Sequence, residues 1–278
     1  MCKDCGCGLP GEKPVGISNH HHDHDHGHEP GHTHEHEHPH SHGDHSHHHE
    51  PAETNEPRRT LEVRRAILDK NDRLAERNRG FFHARSLLVL NVLSSPGSGK
   101  TTFIRETIRK LGSRLKTGVI VGDLATDNDA RRLREAAAPV VQITTGTVCH
   151  LEAEMVANAL KQLDLSGLRL LVIENVGNLV CPASYDLGED LRVVLLSVTE
   201  GEDKPLKYPP MFQSAGAMVV SKIDLAQACD YDRQAALANL RRLAPQAPVF
   251  ETSAKTGQGM DAWCEFLVQQ HHALKTVP

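Results

Sequence analysis

The segment Ser94-Ser95-Pro96-Gly97-Ser98-Gly99-Lys100-Thr101-Thr102 combines two glycines, a lysine and hydroxyls at the spacing of a phosphate cradle. Gly97 and Gly99 let the backbone curl around Ser98 so that successive N–H groups point inward at phosphate oxygens. Lys100 would neutralise the β and γ phosphates of a nucleotide, and the Thr101 hydroxyl would coordinate Mg²⁺. A helix beginning there contributes its positive N-terminal end to the same anion. Ser94 stands where the usual pattern has its first glycine. The plain alternative is a Gly/Ser turn with an incidental lysine.

Base choice rests on Ser221-Lys222-Ile223-Asp224, where guanine-binding proteins usually carry Asn-Lys-x-Asp. The Asp224 carboxylate can accept from both guanine N1–H and the exocyclic amine. Adenine lacks that amine and presents a lone pair at N1, so a site built around Asp224 rejects it. Lys222 would lie along the base and brace the phosphate loop. Ser221 in place of Asn shortens one polar arm. Ser253-Ala254-Lys255, some thirty residues on, would bring backbone N–H groups to guanine O6.

Two acidic strand ends complete this set. Asp123, in Gly122-Asp123-Leu124-Ala125-Thr126-Asp127, could hold Mg²⁺ or a water. Glu174, in Glu174-Asn175-Val176-Gly177, sits where phosphate-loop enzymes place an acid, with Gly177 able to sense the γ-phosphate. Lys100, Asp123, Glu174 and Gly177 are thus the candidate catalytic residues. Plain strand-end or capping roles compete for Asp123, Asp127 and Glu174. Asn178 follows Gly177 where a water-positioning glutamine would stand, which predicts slow intrinsic hydrolysis.

Metal ligands form three groups. Cys2, Cys5 and Cys7 lie within six positions. With a free amine at Cys2 they offer an S₃N set that suits square-planar Ni²⁺, with tetrahedral Zn²⁺ as the alternative. Cys149-His150 and Cys181 sit in two loops that should emerge at one sheet edge, beside the nucleotide. Cys181 is four residues from Gly177, so nucleotide state could reposition a metal ligand. The default reading for these is a buried cysteine and a surface histidine. Finally, 16 of the 20 histidines fall between residues 20 and 49, a field of imidazoles able to hold several divalent ions in labile sites. Cys229 and Cys264 read as packing residues.

These groups need a scaffold to hold them. Short apolar runs recur at 87–93, 118–121, 140–144, 168–173, 191–198, 217–220 and 248–251. Helical patterns lie between most of them, at 101–115, 128–138, 150–163, 231–243 and 260–274. Continuous apolar strands imply burial on both faces, and the alternation predicts a doubly wound, mostly parallel α/β sheet with helices on both faces. Ligands then bind outside the C-terminal strand ends. Upstream, Leu61, Ile67, Leu68 and Leu74 predict a surface helix over 61–78 with one packed stripe. Residues 1–57 hold almost no large apolar side chains and read as a disordered metal-binding arm ending in a Pro51–Pro57 linker, with 58–278 as the GTPase domain.

Net charge is −5 with histidine neutral, and no Lys/Arg run marks a nucleic-acid face. No apolar stretch approaches a membrane span and no secretory signal core is present, so the expected location is the cytoplasm, with the seven cysteines as reduced thiols.

Together these motifs resemble the hydrogenase nickel-incorporation GTPases, the HypB family. The resemblance is carried by Met1-Cys2-x-x-Cys5-Gly6-Cys7, the 95–102 loop, Gly122 to Asp129, Val148-Cys149-His150-Leu151 and the run from Glu174 to Pro182. It implies a GTP-dependent homodimer that delivers Ni²⁺ to the large subunit of [NiFe]-hydrogenase alongside a small accessory protein, HypA. It further implies a tight nickel site at Cys2, Cys5 and Cys7, a second nickel or zinc site at Cys149, His150 and Cys181 in the dimer interface, and nickel storage in the histidine arm. Ser221 departs from the family's usual Asn. The rival readings are a urease-serving chaperone of the same class, a passive metal store, and a metabolite kinase.

Overall fold

A computed structural model describes residues 56–123, 128–136 and 138–274. Cys2, Cys5, Cys7, the histidine field and Asp127 lie outside the described residues.

The expected strands form a single seven-stranded sheet: β1 Leu88–Leu93, β2 Thr117–Asp123, β3 Val140–Thr144, β4 Leu170–Glu174, β5 Leu191–Ser197, β6 Ala217–Ser221 and β7 Val249–Thr252. Their order is β3-β2-β4-β1-β5-β6-β7. Each neighbouring pair is parallel, so the sheet is wholly rather than mostly parallel. The helices are α1 Glu56–His83, α2 Lys100–Leu111, α3 Asn128–Arg134, α4 Ala153–Leu160, α5 Lys204–Lys207, α6 Pro209–Gln213, α7 Arg233–Leu243 and α8 Met260–Leu274. α5 and α6 are absent from the sequence expectation. They are single turns whose prolines serve at the first helical positions, where a missing N–H costs nothing.

Alternation along β1 sorts the core. Leu88, Leu90 and Val92 face Phe103, Ile104, Trp263 and Leu267 of α2 and α8. Val89 faces Phe82 of α1 and Val156 of α4, and Leu93 joins Phe212 and Leu240 of α6 and α7. Helices therefore cover both faces, and every strand's C-terminal end opens at one edge.

α1 runs beyond the predicted 61–78 at both ends. Pro57 is compatible with a first helical turn, so the helix starts within the expected linker. At the other end Phe82 is fully buried, and only Ser86, at φ 51°, turns the chain away. The packed stripe also differs from expectation: Leu61 is 66% exposed, whereas Asn71, Ala75, Asn78 and Phe82 are buried. The asparagines explain the difference. Asn71 accepts the Ala153 N–H at the start of α4 (2.9 Å) and donates to the Asp186 carbonyl (2.7 Å). Asn78 donates to the carbonyls of Ala153 (2.9 Å) and Leu187 (3.1 Å). α1 thus fastens the segment after His150 to the segment after Cys181.

Candidate nucleotide and metal site

The phosphate cradle forms as its spacing predicts. Gly97 and Gly99 adopt φ of 76° and 96°, conformations that a side chain would strain, and α2 begins at Lys100. Ser98 is buried, and its carbonyl accepts the Ser221 hydroxyl at 2.8 Å. The Lys100 ammonium donates to Ser94 Oγ at 3.0 Å, so the serine in the first-glycine position holds the lysine. Burial pushes the Lys100 pKa down, opposed by the charges of Glu174, Asp129, Glu200 and Asp123. A cavity of about 520 Å³ lies in front, lined by Gly97, Lys100, Thr101, Asp123, Glu174 and Gly177.

A second cavity of about 220 Å³ adjoins it, lined by Ser98, Thr102, Ser221, Lys222, Asp224 and Ala254, with Lys255 at its side. Lys222 has φ 59°, a left-handed conformation that a non-glycine residue adopts only at a cost in strain. From there its ammonium donates to the Gly97 carbonyl at 2.6 Å, bracing the phosphate loop. Asp224 Oδ1 accepts the Ser253 hydroxyl at 2.6 Å, which joins the Lys-x-Asp and Ser-Ala-Lys segments into one wall. Ser221 keeps its grip on the loop through Ser98 despite being shorter than asparagine.

Glu174 is buried, with Oε1 accepting the Thr101 hydroxyl at 2.7 Å. Burial raises its pKa from 4.5 to about 7, against the Lys100 charge and the Thr101 bond. Its Oε2 is buried with no protein hydrogen-bond partner. An acceptor oxygen beside a threonine hydroxyl at the cradle's mouth is a donor set that fits Mg²⁺. Gly177 passes so close to the cradle that a Cβ there would lie 3.0 Å from Pro96 Cα and 3.1 Å from Pro96 N.

The two loops expected to carry metal ligands do converge. One donor atom each from Cys149, His150 and Cys181 lies within 4.8 Å of the others, and the two sulfurs are 3.0 Å apart as free thiols. Two thiolates and an imidazole suit Ni²⁺ or Zn²⁺ and leave a coordination position open. His150 is 1% exposed, unlike the surface histidine of the reading without a metal. The cause is Tyr185, whose ring stacks on the imidazole at 3.9 Å between centroids. Asn178 ties the loops together: its Nδ2 donates to the Cys149 carbonyl (3.3 Å) and its Oδ1 accepts the Val180 N–H (2.9 Å).

The description "CobW/HypB/UreG, nucleotide-binding domain" matches residues 88–251. The hydrogenase maturation factor HypB of Escherichia coli (strain K12) is 48% identical over 291 residues, covering 98% of this chain and all of that one. The chain belongs to the HypB family. A further HypB relative, the hydrogenase/urease maturation factor of Helicobacter pylori, is 41% identical over 220 residues, or 78% of this chain and 90% of that one. The crystal structure of H. pylori HypB in complex with nickel superposes with a TM-score of 0.70 at 42% identity, covering 73% of this chain and 96% of that one. The HypB family thereby supplies the nucleotide-binding character of the cradle.

Several residues at the HypB site escape a reading by motif. Tyr185, the loop-tying role of Asn178 and the loop-bracing role of Ser221 carry no spacing signature. Asp129 and Arg132, 3.7 Å apart on α3, line the phosphate cavity. Cys264 is buried as expected, but Cys229 is exposed in a short turn over Gln227–Cys229, so it is not a packing residue. Asn91 offers the one visible signal, an amide in the middle of an aliphatic strand. No helix among the described residues is long and apolar enough to cross a membrane.

Proposed function

We propose that this protein is a GTP-dependent nickel metallochaperone that loads the large subunit of [NiFe]-hydrogenase. The observation that carries the reading is the path from cradle to metal donors. Gly177 abuts Pro96, Asn178 bonds to the Cys149 backbone, and Cys181 follows three residues later beside Cys149. A γ-phosphate that displaces Gly177 therefore displaces a sulfur ligand. Bound Mg²⁺ would supply charge neutralisation at the phosphates, held by Thr101 and faced by Glu174 and Asp123. Lys100 holds the phosphates, Asp224 selects guanine, and hydrolysis to GDP and phosphate is slow because Asn178 is committed to the metal loop.

Ni²⁺ is the cargo, with Zn²⁺ the competing ion at Cys149, His150 and Cys181. The open coordination position there is completed by a second copy in a GTP-linked homodimer. Cys2, Cys5 and Cys7 form a separate nickel site, the histidine-rich stretch stores nickel, and residues 1–57 and 58–278 divide these tasks. The work is done in the cytoplasm with a HypA-type partner. Measuring Ni²⁺ affinity with GDP and with a non-hydrolysable GTP analogue tests the reading; equal values sink it. A second reading, delivery to urease, is favoured by the H. pylori relative, whose name joins both roles. Nickel transfer assays against each apo-enzyme separate the two.

A further inference from the structure

Asn91 lies at the centre of β1, fully buried, with β4 paired on one side and β5 on the other. A buried amide is costly unless bonded, so its partners define its role. Its Oδ1 accepts Asn175 Nδ2 at 3.2 Å, and its Nδ2 donates to Glu189 Oε1 at 3.1 Å.

Both partners lead to the metal loops. Asn175 sits between Glu174 and Val176, at the start of the segment that reaches Gly177. Its Oδ1 accepts the Val176 N–H (2.9 Å) and the N–H of Leu151 (3.3 Å), the residue after His150. Glu189 Oε1 also accepts Arg192 Nε (3.0 Å) and Nη2 (2.9 Å). Arg192 in turn donates to the carbonyls of Ala183 (3.1 Å) and Tyr185 (2.9 Å). Tyr185 closes the circuit through its ring on His150. Asn175 cannot rotate its amide without losing its bonds to Asn91, Leu151 and Val176 together. These bonds and the ring contact thus run unbroken from the Glu174–Gly177 segment across the sheet to the segment that holds the imidazole.

We propose that Asn91 and Asn175 are positioning residues that couple nucleotide state to the metal site through His150, separately from the chain path to Cys181. The inference rests on the proposed coupling of nucleotide and nickel and gives it a second route. A contiguous network becomes a route only when its removal changes a coupling, so the coupling is what is measured.

The test uses the full chain with Cys2, Cys5, Cys7 and the exposed Cys229 replaced by alanine, which leaves Cys264 buried. Thiolate-to-nickel charge-transfer absorption then reports Cys149 and Cys181, because imidazoles give no such band. Ni²⁺ dissociation constants are compared with GDP and with a non-hydrolysable GTP analogue, for this parent and for Asn91→Leu and Asn175→Ser. The parent should show a ratio of about fivefold or more. In the variants the ratio should fall towards one, with the thiolate band and GDP affinity retained. An unchanged ratio in both variants overturns the proposal while leaving the nucleotide–nickel reading intact. A ratio of one in the parent overturns that reading and the proposal with it. GDP affinity certifies each fold; its loss in one variant leaves the other to decide, and its loss in both assigns the amides to folding and overturns the proposal.

Discussion

Lowering the pH from 8 to 6 should weaken Mg²⁺·GTP binding about tenfold through the buried carboxyl of Glu174. Burial lifts that group to about 7, so the metal-free protein holds it largely protonated in mildly acidic solution. A cation at the cradle requires the carboxylate, and affinity falls in proportion to the protonated population. For a group titrating near 7, the carboxylate fraction drops about tenfold between pH 8 and 6. The linked effect on stability has the opposite slope. A carboxyl raised on folding stabilises the metal-free protein fully below its ordinary value of 4.5, and that contribution is lost as the pH rises through about 7. Titration calorimetry in two buffers of different ionisation enthalpy measures the proton released. Close to pH 7, about half a proton should leave Glu174 for each Mg²⁺·GTP bound. Glu174→Gln carries the same nucleotide titration without this carboxyl and serves as the reference. Equal proton release by the two proteins would refute the assignment.

Asp224→Asn would keep one acceptor oxygen for guanine N1–H but set an N–H₂ donor against the exocyclic amine, at the proposed base site. GTP affinity should fall about 10²–10³-fold, as expected for two charge-assisted hydrogen bonds. Xanthosine triphosphate should bind the variant better than GTP does, and a competition titration reads both. Gly177→Ala sets a Cβ 3.0 Å from Pro96 Cα, and the triphosphate analogue should lose about tenfold in affinity relative to GDP. Equal losses for the two nucleotides would show that Gly177 does not register the γ-phosphate. Tyr185→Leu removes the ring stacked on His150, and Ni²⁺ affinity at the thiolate site should drop about 10- to 100-fold with GDP binding unchanged.

The parallel sheet is legible because β1, β2, β4 and β5 are dominated by consecutive aliphatic residues bounded by turn formers, a pattern that alternation or helical spacing does not produce. The cradle is legible for a related reason: backbone geometry at Gly97 and Gly99 admits few residue types. Less visible is whatever depends on distant partners. Leu61 fits the apolar stripe of α1 by spacing, yet the helix turns a face of asparagines inward because α4 and the 186–187 segment present backbone groups there. His150 has no neighbour in sequence that predicts burial; Tyr185, which covers it, arrives from another loop. Cys229 and Cys264 look alike as cysteines near apolar residues, and only the packing of α8 against β1 and β7 separates them. Asn91 is conspicuous in its strand, but its role needs Glu189 and Asn175, which lie 98 and 84 residues away.

Nickel K-edge X-ray absorption on the chain lacking Cys2, Cys5, Cys7 and Cys229, with its histidines between 20 and 49 replaced and less than one nickel per chain, recorded with GDP and with a GTP analogue, addresses the coupling most directly. The sulfur count or nickel–sulfur distance should change between the two nucleotides, as the Gly177–Cys181 segment moves a thiolate against its partner. Superimposable spectra, with nickel bound equally to two sulfurs and an imidazole in both states, would contradict it.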